Sequence, residues 1–161
     1  MFSILESCDE GKRREVAAAT VLMKEGAKTG YLYVLAEGTI EVLRGETQVA
    51  VIREPGSVFG EMSVLLDVPH TATVRAATPC TVYAYDDAAG FMRSDPAITY
   101  VIARLLAQRL NLATGYLADL KRQYGNENNH LGMVSDILAS LVNQPQREFS
   151  PGSDREPNPQ M

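Results

Sequence analysis

The sequence predicts an α+β fold, a sandwich or barrel of short strands followed by helices, one of them long. Three observations carry that prediction. From about residue 15 to residue 85, apolar extended runs alternate with glycine-bearing turns at the regular spacing of a strand-built core. Ser94-Asp95-Pro96 offers a helix cap followed by proline at the first helical position. Beyond it, apolar residues recur at steps of three and four as far as Tyr124.

Composition bounds what such a chain does. Its 161 residues, 45% of them hydrophobic, suffice for one core with appendages and need no disulfide. A net charge of −5 argues against sequence-independent attraction to DNA or to an anionic membrane. Residues 1–10 lack a basic leader, and no apolar run approaches a membrane span, so the expected location is the cytoplasm. Cys8 and Cys80 have no metal-ligand spacing. Both are expected reduced, with Cys80 in the core.

In chain order, residues up to about Arg14 read as a helical or irregular lead-in, with Lys12-Arg13-Arg14 as a solvated basic triplet. Strands follow at Val21-Leu22-Met23, Tyr31-Leu32-Tyr33-Val34-Leu35, Ile40-Glu41-Val42-Leu43 and Val49-Ala50-Val51-Ile52, each leading into a turn that carries glycine. Cys80-Thr81-Val82-Tyr83-Ala84-Tyr85 adds another strand. Residues 87–93 have the length of a short helix.

Residues 57–76 are the stretch around which the others arrange themselves. Val58 and Phe59 are extended, Gly60 permits a backbone conformation or close approach that a side chain would obstruct, and 61–66 spans a turn and a half of helix. A helix start of this kind presents free N–H donors and a partial positive charge, which suits a small anion such as phosphate. Glu61 repels phosphate but accepts from neighbouring sugar hydroxyls. Pro69 ends the helix, and Thr71-Ala72-Thr73-Val74-Arg75 alternates as a strand.

The run FGEMSVLLDVPHTATVRA resembles the phosphate-binding cassette of the cyclic-nucleotide-binding domain, the family of catabolite-activator-type transcription factors, protein kinase A regulatory subunits and cyclic-nucleotide-gated channels. The resemblance implies a β-roll, a jelly-roll-like double-stranded barrel with flanking helices, and a site made of Phe59, Gly60, Glu61, Met62, His70, Thr71 and Ala72. It implies that Gly60 and the amides of Glu61 and Met62 approach the cyclic phosphate of cAMP or cGMP, that Glu61 takes the ribose 2′-hydroxyl, and that Thr71 donates to a phosphate oxygen. Where the family motif has arginine this chain has His70. A neutral imidazole brings one donor where arginine brings a charged fork, a loss of roughly 1.5–3 kcal/mol. If His70 meets phosphate, affinity rises as pH falls from about 8 toward 6. The competing reading makes His70 a solvated loop residue in a vestigial pocket.

The long helix carries a seam of Ala103, Leu106, Leu110, Ala113, Leu117, Leu120 and Tyr124, besides a second apolar face of Ile98, Val101, Ile102, Leu105, Leu112 and Tyr116. Two apolar faces require two coverings. The expectation is the roll for one and a twin subunit for the other, giving a homodimer, with packing against the next helix as the alternative. Gly115 marks either a close approach or a bend. The resemblance implies that this helix closes over the nucleotide, and Thr99, Gln108, Asn111 and Thr114 are all eligible for the base contact. Gly125 breaks the helix, 130–142 forms a shorter one, and 144–161, with four prolines, reads as a disordered tail. The organisation expected is a roll with its lead-in over 1–94, the long helix over 95–124, a short helix over 125–143 and the tail. With a single helix expected after the long one, no helix-turn-helix domain is expected.

These readings converge on a stand-alone regulatory module for signal transduction, sensing cAMP or cGMP and acting on an unknown downstream protein. The alternative is a dimerisation and docking scaffold whose pocket is vestigial and binds no nucleotide, His70 standing where the motif has arginine. An enzyme is not expected: the only histidines are His70 and His130, and no nucleophile motif or P-loop is present.

Overall fold

The computed structural model describes residues 3–124 together with Met133, Asp136 and Ile137. The break expected at residue 125, the tail over 144–161 and most of the helix expected over 130–142 lie outside the described residues, although Met133, Asp136 and Ile137 are helical. The chain divides into two compact units, Met1–Ile102 and Ala103–Met161.

The first unit opens with two short 3-10 turns, Ile4–Ser7 and Glu10–Lys12, capped by the side chains of Ser3 and Asp9. Eight strands follow: β1 (Arg13–Val16), β2 (Val21–Met23), β3 (Leu32–Glu37), β4 (Ile40–Arg44), β5 (Thr47–Ile52), β6 (Val58–Phe59), β7 (Thr73–Ala76) and β8 (Cys80–Tyr85). They form two antiparallel four-stranded sheets, ordered β1-β8-β3-β6 and β2-β7-β4-β5. Both sheets supply the core. Leu35, Phe59, Cys80 and Val82 come from the first sheet, and Met23, Ile40, Val74 and Ala76 from the second. This is the α+β β-roll that the sequence predicts.

One turn shows why a glycine is required. Gly38, between β3 and β4, has φ +101°, and a Cβ there would lie 2.6 Å from both the Pro79 carbonyl and Cys80 Sγ. Cys80 is itself buried, and both cysteines are free thiols.

One element corrects the sequence reading. The chain is already extended at Arg13, and β1 pairs with β8 from Arg13 opposite Tyr83 to Val16 opposite Cys80. Three of its four residues are exposed, so no apolar alternation announces it. Charge on a sheet edge is a usual defence against further pairing. Thus Arg13 and Arg14 belong to a strand, not to an irregular lead-in.

On the second sheet Arg75 Nε donates to Glu41 Oε1 at 2.6 Å, and Gln48 donates to the other carboxylate oxygen. The Arg75 bond, then the Gln48 bond, hold the Glu41 carboxyl below its ordinary 4.5. A lowered carboxyl stabilises the fold fully above the ordinary value and ceases to do so as pH falls through the lowered one. Glu41→Gln is therefore expected to lower the thermal midpoint at neutral pH and to flatten the decline below about pH 4.5. Identical acid profiles for the two proteins would refute the contribution.

Three helices complete residues 3–124: α1 (Glu61–Leu66), α2 (Ala88–Arg93) and α3 (Pro96–Tyr124). Asp87 caps α2 through Gly90 N–H, and Asp95 Oδ1 accepts from Ala97 N–H beside the proline that begins α3. In the first unit α3 buries Ile98 and Ile102. In the second unit Leu106, Leu117 and Leu120 are half-buried, whereas Ala103, Leu110, Ala113, Leu112 and Tyr116 are exposed. A Cβ at Gly115 would meet none of the described residues, and α3 continues through it.

Candidate functional site

Residues 57–76 run from sheet to sheet. β6 pairs with β3, placing Phe59 opposite Tyr33, and the chain then turns at Gly60 with φ +97° and ψ −5°. The glycine is required twice over. Its backbone is left-handed, and a Cβ would collide with Met23 Cε and the Tyr31 carbonyl oxygen. Packing against β2 and the start of β3 thus sets the angle at which α1 leaves the sheet.

The N-cap of α1 is Gly60, which has no side chain with which to cap the first turn. Glu61 opens the helix with 3% of its surface exposed, while Met62 is about half exposed. Ser63 Oγ donates to the Val68 carbonyl, tying the helix to the loop that follows. Asp67 ends the helix in a left-handed conformation, its N–H on the Ser63 carbonyl.

That loop is bound to the loop between β2 and β3. Gly26 N–H donates to the His70 carbonyl and His70 N–H to the Ala27 carbonyl, each at 2.8 Å. Thr29 Oγ1 lies 2.9 Å from His70 Nε2. Lys28 Nζ sits 2.6 Å from Asp67 Oδ1, and Glu25 N–H donates to Thr73 Oγ1. His70 is only 6% exposed, so it is not the solvated residue of the competing sequence reading. Burial pushes its imidazole below the ordinary 6.5, which keeps it neutral at neutral pH.

Phe59, Gly60, Glu61 and Met62 therefore form the bend and helix start, with His70, Thr71 and Ala72 on the returning loop. Thr71 is exposed and Ala72 partly covered. On α3 the Thr99 hydroxyl is already engaged by the Met92 and Asp95 carbonyls. Sequence reasoning did not single out Lys28, Thr29 or Arg44, although Arg44 Nε donates to the Thr71 carbonyl at 3.1 Å. Thr29 and His70 stand 41 positions apart, and no local pattern links them.

Taken alone, the roll with its glycine bend and short helix defines a β-roll of the catabolite-activator type. The crystal structure of the catabolite activator protein of Thermus thermophilus matches with a TM-score of 0.58 and 28% identity, over 68% of this chain and 54% of that one. Residues 13–91 match the family model described as the cyclic nucleotide-binding domain.

Among relatives, a Mycobacterium tuberculosis protein named as an uncharacterized ABC transporter ATP-binding protein is 35% identical over 74 residues, 44% of this chain and 22% of that one. The cAMP-dependent protein kinase regulatory subunit of Yarrowia lipolytica is 29% identical over 150 residues, 89% of this chain and 35% of that one. The chain thus spans between a fifth and about a third of these relatives' lengths. Among the described residues no helix is long and apolar enough to cross a membrane, and no group of three His, Cys, Asp or Glu could hold a metal.

Proposed function

We propose that this chain is a regulatory module that binds cAMP or cGMP at the cassette and passes the bound state through its C-terminal helices to a partner protein. The observation that carries the reading is the left-handed Gly60, itself the N-cap, delivering a helix whose first residue is the buried Glu61. Such a start offers amides to a phosphate, and the adjoining carboxylate offers acceptors to a ribose hydroxyl. The cAMP-dependent kinase subunit among the relatives supports the ligand class. Exposed Leu110, Leu112 and Tyr116 on α3 support a homodimer as the form that responds, and a monomeric mass in sedimentation would remove that part.

Titration calorimetry and thermal melting with each nucleotide test the reading. Ligand at a hundred times its dissociation constant stabilises the folded state by about 2.7 kcal/mol, a readily measured rise in midpoint. No heat and no rise at millimolar cAMP or cGMP would refute it. The second reading, a docking scaffold with a vestigial pocket, is favoured by the neutral His70 held against Thr29.

A further inference from the structure

Three cations touch the cassette or the strand it leads into. Lys28 is spent on the cassette's own acid, its Nζ lying 2.6 Å from Asp67 Oδ1 and 3.2 Å from the Asp67 carbonyl oxygen. Arg75 is held by Glu41 on the second sheet. Arg44 differs. It stands at the end of β4, one residue past Leu43, which pairs with Thr73 of β7. Its Nε donates to the carbonyl of Thr71, the residue that follows His70. Among the described residues no carboxylate forms an ion pair with it; the Glu25 carboxylate accepts from the next residue's amide, Gly45 N–H, at 2.7 Å. Arg44 is also exposed.

A guanidinium has five donors in a planar fork. One of them on the Thr71 carbonyl fixes the plane beside the cassette and leaves both terminal nitrogens for a ligand. His70 offers no comparable group, because its ring is buried and Nε2 is taken up with Thr29. We propose that Arg44, reaching across from the neighbouring strand, supplies the cationic partner for the ligand's phosphodiester in place of the residue at position 70. This rests on the cyclic-nucleotide reading given above. It assigns charge recognition to β4 and leaves position 70 to join two loops. The ligand class is a cyclic phosphodiester monoanion, and the matching nucleoside, which lacks the charge, gains nothing from Arg44.

The test uses the full chain and its Arg44→Gln and Arg44→Lys variants, titrated with cAMP, cGMP, adenosine and guanosine, with thermal midpoints recorded for each protein. Arg44→Gln is expected to weaken the cyclic nucleotide by roughly ten- to a hundredfold, the loss of one charge-assisted bond. Nucleoside affinity is expected to stay unchanged, and Arg44→Lys to fall in between because it keeps the charge without the fork. Unchanged cyclic-nucleotide affinity in a folded Arg44→Gln protein overturns the proposal and leaves the sensor reading standing. Equal losses for nucleotide and nucleoside also overturn it, since Arg44 would then read base or sugar. Should Arg44→Gln prove unfolded, the lysine variant decides: binding as tight as wild type, or a parallel nucleoside loss, counts against the fork. A wild-type protein that binds no cyclic nucleotide removes the sensor reading and this proposal together.

Discussion

Replacing Gly60 by alanine is expected to lower stability by about 2–5 kcal/mol, and to remove nucleotide binding where the protein still folds. Two costs add. An L-residue in a left-handed conformation loses roughly 1–2 kcal/mol. The new methyl meets Met23 Cε, which can move, and also the Tyr31 carbonyl oxygen, which belongs to a backbone leading straight into β3. Forcing atoms into a packed site costs about 1–3 kcal/mol more. Relief comes from moving α1 away from β3, and that displaces the first-turn amides and Glu61 together. Chemical denaturation measures the first effect and calorimetry the second. A Gly60→Ala protein with wild-type stability would show that the bend is not held as described.

Leu35→Ala is expected to cost a further large amount, about 2–5 kcal/mol, from a cavity in the centre of the roll. Leu35 is fully buried, pairs with Val82 across β3 and β8, and lies in the core with Ile40 and Phe59. Its backbone also holds the turn that leads into β6, donating to Ser57 and accepting from Gly56. The side-chain truncation leaves those bonds in place, so binding is expected to weaken far less than stability. For a unit of this size, about 4–8 °C of midpoint accompanies each kcal/mol, which puts the fall above roughly 8 °C. A smaller fall would mean that the two sheets close over the cavity.

Most of the roll was legible because its strands obey local rules. β2, β6, α1 and β8 fall where apolar runs and turn glycines place them, and Pro96 marks the start of α3. β1 escaped because its partner is what makes it a strand: Arg13 and Arg14 read as surface, and only β8 gives their backbone a ladder. The cassette was legible as a motif, down to the single departure at position 70. What the departure does was not legible. The direction of the His70 ring depends on Thr29, on a loop closed by tertiary contacts, and the placement of Arg44 depends on the register between β4 and β7. The α3 helix was read correctly as a helix, but a sequence period does not say what covers each face.

The sheet order has a practical corollary for anyone concentrating this protein. β5 ends its sheet, and the segment Thr47–Ile52, TQVAVI, is almost wholly exposed and carries no charge and no proline. A free ribbon edge of that kind is a template on which another chain can be laid down, and it lacks the lysines that usually discourage fibril growth. A lysine in place of Val49, which is half exposed, would put a charge on that rim without entering the core, and so lengthen the life of concentrated stocks.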